Sequence, residues 1–337
     1  MSDLPGYELK GSLLEDENTV LLRGIEIEAR RPVWVKMLRS DHPAPHAVAL
    51  FRRDFDVALS LGAVAVLPPR ELVRAGGRLA LIYEDFDGQP LQNQLAQGPL
   101  DVATALEIAI HAAELLHLIH RREIIHKNIS PASLLVGPGG QSARLLDFRF
   151  CTQLSREIPQ RGSAMSIEGR LAYVSPEQTG RMNRSVDFRS DLYSLGVTLY
   201  EMLTGRVPFA SDDPLELVHC HIARKPDPPS AVDPVVPQSV SDLVMKLLAK
   251  RAEDRYQSAA GVRADLETAL QFWKTTGVHS HFELGRADGS GQLEIPEKLY
   301  GRDRQVAVLA AAFDRVCSGP AELLLVAGYS GDRKSVV

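Results

Sequence analysis

Six short segments carry side chains suited to ionic chemistry. Lys36 lies in VWVKML, His126 opens HKNISPAS, and Asp147 opens DFR nineteen residues after Asn128. Glu177 closes SPE thirty residues after Asp147, Asp191 begins DLYSLG, and Arg255 lies in EDRYQS. Each says little alone. A strand lysine can simply snorkel its ammonium to water, and a loop aspartate can simply cap a turn. Their fixed order along one chain carries the information. A seventh segment, Gly328 to Ser335 (GYSGDRKS), has nearly the form G-x-x-x-x-G-K-[ST] that cradles phosphate. Gly328, Lys334 and Ser335 stand in place, but Arg333 replaces the second glycine, and a side chain there obstructs close backbone approach to an anion.

Elements of two kinds must position these groups. Thr19–Arg23, Val33–Leu38 and Leu79–Glu84 are β-rich runs. Val48, Phe51, Phe55, Ala58 and Leu59 recur at helical spacing over Val48–Leu61. From Leu100 the chain turns helical, with apolar helices over Ala105–His120 and Leu192–Leu203, the second ended by Gly205 and Pro208. Ile124–Ile125 and Leu134–Val136 read as short strands flanking a loop, and Ser239–Lys250 and Ala259–Trp273 as amphipathic helices. A strand-rich part followed by a helix-rich part is an α+β pattern. The 337 residues suggest about two domains, the second too short for a complete core. Residues 1–275 form the first domain, with lobes over 7–86 and 87–275. A Gly-, Ser- and His-rich linker over 276–298 follows, and 299–337 begins a second domain with a helix at Arg302–Val316 and a strand at Glu322–Ala327.

Composition narrows the class further. A net charge of −5 gives no hint of nucleic acid, so no nucleic-acid partner is expected, and it argues mildly against an anionic-membrane surface. Cys151, Cys220 and Cys317 are too few and too far apart for a disulfide framework or a zinc site, which places the chain in the cytoplasm with reduced thiols. The N-terminus lacks the basic and apolar regions of a signal peptide, and Glu107, His111 and Glu114 interrupt the most apolar stretch, so no membrane span is expected.

The six segments in this order resemble a serine/threonine protein kinase domain over about residues 7–273. The wording SPEQTGRMNR, GVTLYEMLTGRVPF, ELVHCHIA and AEDRYQSAAGVRADLE is similar to the N-terminal kinase-like domain of large bacterial multidomain sensor histidine kinases. In that family an AAA-like P-loop ATPase domain and GAF modules follow, and LYGRDRQ with the Gly-rich turn fits a truncated start of that second domain. The resemblance implies a bilobal kinase fold with ATP and Mg²⁺ as cofactors. Lys36 would pair with the α/β-phosphates and with Asp54, one methylene shorter than the usual glutamate. Asp147 would hold Mg²⁺. Glu84, Asp85 and Phe86 would form the hinge that meets adenine, with Tyr83 as gatekeeper. Glu177 and Arg255 would anchor the activation segment, and Asp191 the catalytic-loop backbone.

The departures fall on the chemistry. Asn128 holds the place of the catalytic aspartate, and an amide cannot accept a proton at neutral pH. Such a loss costs about 10²–10⁴ in rate. Ser130 replaces the lysine that steadies the transferred phosphate, and Ser133 replaces the second metal-binding asparagine. Arg149 stands where a glycine would give access to positive φ. Leu13–Val20 (LLEDENTV) replaces the Gly-rich loop and carries Glu15, Asp16 and Glu17, which either repel phosphate or point outward.

The expectation is a pseudokinase, with weakened ATP and Mg²⁺ binding, that regulates or scaffolds a bacterial signalling protein. The alternatives are an active serine/threonine kinase and a nucleotide-independent interaction module. The expected partners are other signalling domains or proteins. Seven arginines between Arg149 and Arg189 suggest an acidic or phosphorylated one, with Ser163 and Ser166 as candidate phosphosites.

Overall fold

The computed structural model describes residues 4–63, 65–75, 77–153, 170–182, 184–276 and 282–289. Five strands build the N-terminal lobe: β1 (Tyr7–Glu15), β2 (Thr19–Glu26), β3 (Arg31–Leu38), then, after helix α1 (Pro45–Leu61), β4 (Pro69–Ala75) and β5 (Arg78–Glu84). They form one antiparallel sheet in the order β1-β2-β3-β5-β4. Side chains on β2 and β3 share faces by register. Leu21 pairs with Lys36 and Arg23 with Trp34, so Trp34 and Lys36, two residues apart, lie on the same side. That side meets α1 through Phe51 and packs Leu21, Trp34, Leu81 and Tyr83 into a core of its own.

The C-terminal lobe starts with the two-residue strand β6 (Gln89–Pro90) and helix α2 (Leu91–Leu95). Helix α3 (Val102–His120) begins where the Asp101 carboxylate accepts the Thr104 amide at 3.0 Å. By length and composition α3 could cross a bilayer, contrary to the sequence reading. Its apolar face instead lies in the lobe core with α4 (Arg189–Thr204). Strands β7 (Leu134–Val136) and β8 (Ala143–Leu145) complete a small sheet with β6. Helices α5 (Pro214–Ala223), α6 (Pro229–Val232), α7 (Gln238–Leu247) and α8 (Ala259–Thr276) close the lobe. Gly196 lets α4 and α7 approach, since a Cβ there would lie 2.6 Å from Leu247 Cβ. Gly205 ends α4 in a left-handed turn, φ 71°, with its N–H on Glu201 O.

Several elements differ from the sequence reading. Ile125 makes only an isolated bridge to Thr152. β1 escapes pattern reading because it is an irregular edge strand with most side chains exposed or half-buried. Part of the stretch read as a linker docks on the lobe. Phe282 stacks on Phe272, and Asp288 accepts the Gln257 amide at 2.7 Å and the Ser258 hydroxyl at 2.9 Å. The compact unit accordingly runs to Gly289. The second domain, with Gly328, Lys334 and Ser335, lies outside the described residues, as do Ser163 and Ser166.

Candidate functional site in the cleft

The cleft lies where β2 and β3 face the loop from His126 to Ser133 and the turn at Asp147. The loop is held from below. Asp191, at the start of α4 and fully buried, accepts the His126 and Lys127 amides at 2.8 Å each and His120 Nε2 at 2.9 Å. His126 Nε2 donates to Leu146 O at 3.0 Å, and its Nδ1 accepts the Asn128 amide at 3.3 Å. Burial pushes this imidazole below its ordinary pKa, which keeps it neutral in that tautomer. Farther down, Arg255 donates to both Glu177 oxygens at 2.7 and 2.9 Å, and the Ser190 hydroxyl donates to the same carboxylate at 2.7 Å. Burial would raise the Glu177 pKa, but Arg255 outweighs it and holds it low.

Above the loop, Lys36 and Asp54 meet. Lys36 Nζ lies 2.5 Å from Asp54 Oδ2, so the shorter side chain reaches. The other Asp54 oxygen accepts the Phe148 amide at 2.7 Å, which ties α1 to the Asp147 turn. Lys36 also donates to Asp147 Oδ1 at 2.8 Å.

Arg149 changes the character of the site. Positive φ falls on Asp147 (70°) and not on Arg149, so the backbone here does not demand the glycine that Arg149 replaces. The guanidinium turns back instead. Its Nε lies 2.5 Å from Asp147 Oδ1, and one terminal nitrogen reaches Asp147 Oδ2 at 2.9 Å and Asp16 Oδ2 at 2.6 Å. Asn128 Nδ2 donates to Asp147 Oδ2 at 2.9 Å. Burial would raise the Asp147 pKa, but Arg149 and Lys36 drive it well below the usual carboxylate range. Asp16 also receives the Asn18 and Thr19 amides, while Glu15 and Glu17 face solvent. Of the three acidic residues in the phosphate-loop position, one turns inward onto an arginine and two turn out.

These contacts decide whether the implied metal fits. A carboxylate offers about four lone-pair sites. Lys36, Arg149 twice, and Asn128 take four on Asp147. Ser133, the other metal candidate, has its hydroxyl bridging the Ser130 amide and carbonyl at 3.0 Å each. Mg²⁺ needs carboxylate oxygens it can approach at about 2.0–2.1 Å, and this arrangement leaves none open. Mg²⁺ does not fit these residues as placed. Two buried polar atoms of the cleft, Asn128 Oδ1 and Ser130 Oγ, have no protein partner among the described residues.

The hinge residues lie toward the surface: Glu84 and Asp85 are exposed and Phe86 is half-buried. Tyr83 is buried in the N-lobe core. Between them and Lys36 stands Trp34, 0% exposed, its indole N–H on Asp85 Oδ1 at 3.1 Å. Sequence reasoning passed over Trp34 and the partners of Arg149, and read Asp16 only as repelling phosphate or pointing outward. The period of two in VWVK could have flagged an indole beside Lys36.

The arginine-rich segment is partly neutralised within the fold. Arg184 pairs with Glu253, Arg189 with Asp187 at 2.6 Å, and Arg149 with Asp147 and Asp16. Arg156 and Arg161 lie outside the described residues.

Comparison with known proteins agrees with the bilobal fold. The protein kinase domain model matches residues 15–265. The chain is 35% identical over 251 residues to the serine/threonine-protein kinase PknB of Mycobacterium tuberculosis, covering 72% of this chain and 39% of that protein. It is 34% identical over 320 residues to PknB of Mycolicibacterium smegmatis, covering 93% and 48%. A probable serine/threonine-protein kinase of Streptomyces coelicolor, SCO3848, is 33% identical over 246 residues, covering 71% and 36%. The chain spans about two fifths to one half of the length of these relatives.

Proposed function

The chain belongs to the protein kinase family, and from that premise we propose that it acts as a pseudokinase: a kinase fold kept to regulate or scaffold a cytoplasmic bacterial signalling protein, without efficient phosphoryl transfer. The observation that carries the reading is the Asp147 carboxylate, whose lone pairs are filled by Lys36, Arg149 and Asn128. A kinase holds Mg²⁺ with that carboxylate and takes the substrate proton with an aspartate at position 128. Here the first is engaged by side chains and the second is an amide. The similarity of SPEQTGRMNR and neighbouring segments to multidomain sensor proteins supports other signalling domains as its partners. The test is phosphate transfer from labelled ATP, with Mg²⁺ or Mn²⁺, to the chain itself and to a general acceptor such as casein. No incorporation above background is expected. Incorporation that disappears in Asp147→Ala would overturn the proposal.

One observation favours a second reading, a weak serine/threonine kinase. Asn128 Oδ1 is a buried acceptor with no donor among the described residues. Its orientation is fixed because the amide nitrogen must face the acceptor-only Asp147. That oxygen could receive a substrate hydroxyl and position it without taking its proton. Transfer that persists in the wild type and falls in Asn128→Leu would select this reading.

A further inference from the structure

Trp34 lies on the same face of β3 as Lys36, one pleat nearer the hinge. In a kinase the space between that lysine and the hinge receives the purine. Here the indole spans it. At one end its N–H donates to Asp85 of the hinge segment at 3.1 Å. Its flank meets Phe86 edge-on at 6.4 Å between ring centroids. Its ring is buried in one cluster with Leu21 from β2 and with Leu135 and Leu146 from the opposite lobe. Arg23 covers what remains: its guanidinium sits 5.3 Å from the indole centroid and donates to Gly88 O at 2.8 Å, bridging β2 to the segment after the hinge.

A flat heteroaromatic ring, buried between the lobes with its N–H on the Asp85 carboxylate, takes up the space a purine would need. We infer that the Trp34 indole is a resident occupant of the purine end of the cleft, so that the domain closes on its own side chain, binds no adenine nucleotide, and gains a purine site when Trp34 is truncated. This inference rests on the pseudokinase reading and deepens it, because an emptied Trp34 position would leave a base site beside Lys36.

The chain has two tryptophans, so Trp273→Phe leaves Trp34 as the single reporter in an otherwise unaltered cleft. In that variant the emission should resist acrylamide quenching and stay unchanged at about 5 mM ADP or ATP, with or without Mg²⁺, and the melting temperature should not rise. Trp34→Ala, with Trp34→Leu as the less disruptive substitute, should bind ADP at least about tenfold more tightly than the wild type by calorimetry. Wild-type protein that binds either nucleotide and changes Trp34 emission would overturn the inference. A folded Trp34 variant with no gain in ADP affinity would overturn it too. Nucleotide binding without transfer sinks this inference and leaves the pseudokinase reading standing. Phosphate transfer by the wild type sinks both.

Discussion

The anchoring network of the C-lobe and the cleft above it are built from the same residue types and differ in what those residues are paired with. Below, Glu177 meets Arg255 in a two-pronged pair and Asp191 gathers two loop amides. These groups need only one another. Above, Lys36, Asp147 and the turn before β2 would in a kinase be completed by a nucleotide and a metal. In this chain Asp16, Asp54, Asn128 and Arg149 complete them instead. A buried charge must be compensated by something. Where the ligand's charges are not called on, the chain supplies its own. Arg149 stands beside Asp147 as a fixed cation, and Trp34 stands beside the hinge as a fixed ring.

The comparison breaks most visibly below. Arg255→Ala leaves Glu177 buried without its cation, and such a loss costs about 3–5 kcal/mol. Urea denaturation should show a large drop in midpoint with no recovery on adding Mg²⁺ or nucleotide. A cost under about 1 kcal/mol would mean that the pair is solvated. Above, Arg149→Gly should cost less, about 1–3 kcal/mol, because Lys36 and Asn128 stay on Asp147. It should also differ in kind. Two lone-pair sites reopen, so millimolar Mg²⁺ should raise the midpoint of this variant and leave the wild type unmoved. Mg²⁺ stabilisation of the wild type would contradict the saturation of Asp147.

Restoring a carboxylate at position 128 sharpens the contrast. Asn128→Asp removes the amide that donates to Asp147 at 2.9 Å and faces one carboxylate with another. Like charges at that distance raise one of the two pKa values. The folded pair then binds a proton that the unfolded chain releases near pH 4. The variant should match the wild type below that pH and lose stability as pH rises, by about 2 kcal/mol at pH 7. Phosphate transfer should remain absent, since Lys36 and Arg149 still engage both Asp147 oxygens. Stability independent of pH would mean that the two side chains turn apart.

Much of the lower network was legible in the sequence. The series from Lys36 to Arg255 fixes the order of the two lobes, and the contacts of Glu177, Asp191 and Arg255 are set by positions that depend on the fold alone. The upper site was legible only as a set of absences. Asn128, Ser130, Ser133 and Arg149 could be seen to depart from a kinase, but a departure does not say what replaces the missing function. Arg149 joins Asp16, 133 residues earlier, and no local period connects them. Trp34 carries no mark in the sequence beyond its place on a strand, and its N–H meets Asp85, 51 residues on. Long-range pairing of single polar atoms leaves no periodic trace, whereas apolar helices such as α3 and α4 do.

The smallest expected effect lies at a C-lobe cation that is not paired like Arg255. Lys250 donates to the carbonyls of Cys220 and His221 at 3.1 and 2.9 Å, and its ammonium lies 4.5 Å from the Phe209 ring centroid. Carbonyls and a ring face compensate a charge less fully than a carboxylate does. Burial and the nearby Arg255 guanidinium lower its pKa to about 8. In the unfolded chain the same ammonium holds its proton to about pH 10.4. Between those values the unfolded state binds more protons than the folded state, so this group adds stability as pH rises, and below pH 8 its contribution is flat. Partial exposure screens the effect, which leaves on the order of 1 kcal/mol. Lys250→Met loses both carbonyl contacts at every pH and lacks the titration. The difference in stability between wild type and variant should therefore widen in favour of the wild type from pH 8 to 10 and stay constant from pH 6 to 8. A difference that stays constant across the whole range would mean that Lys250 is as well compensated as Arg255, and that the contrast within the lobe is one of geometry alone.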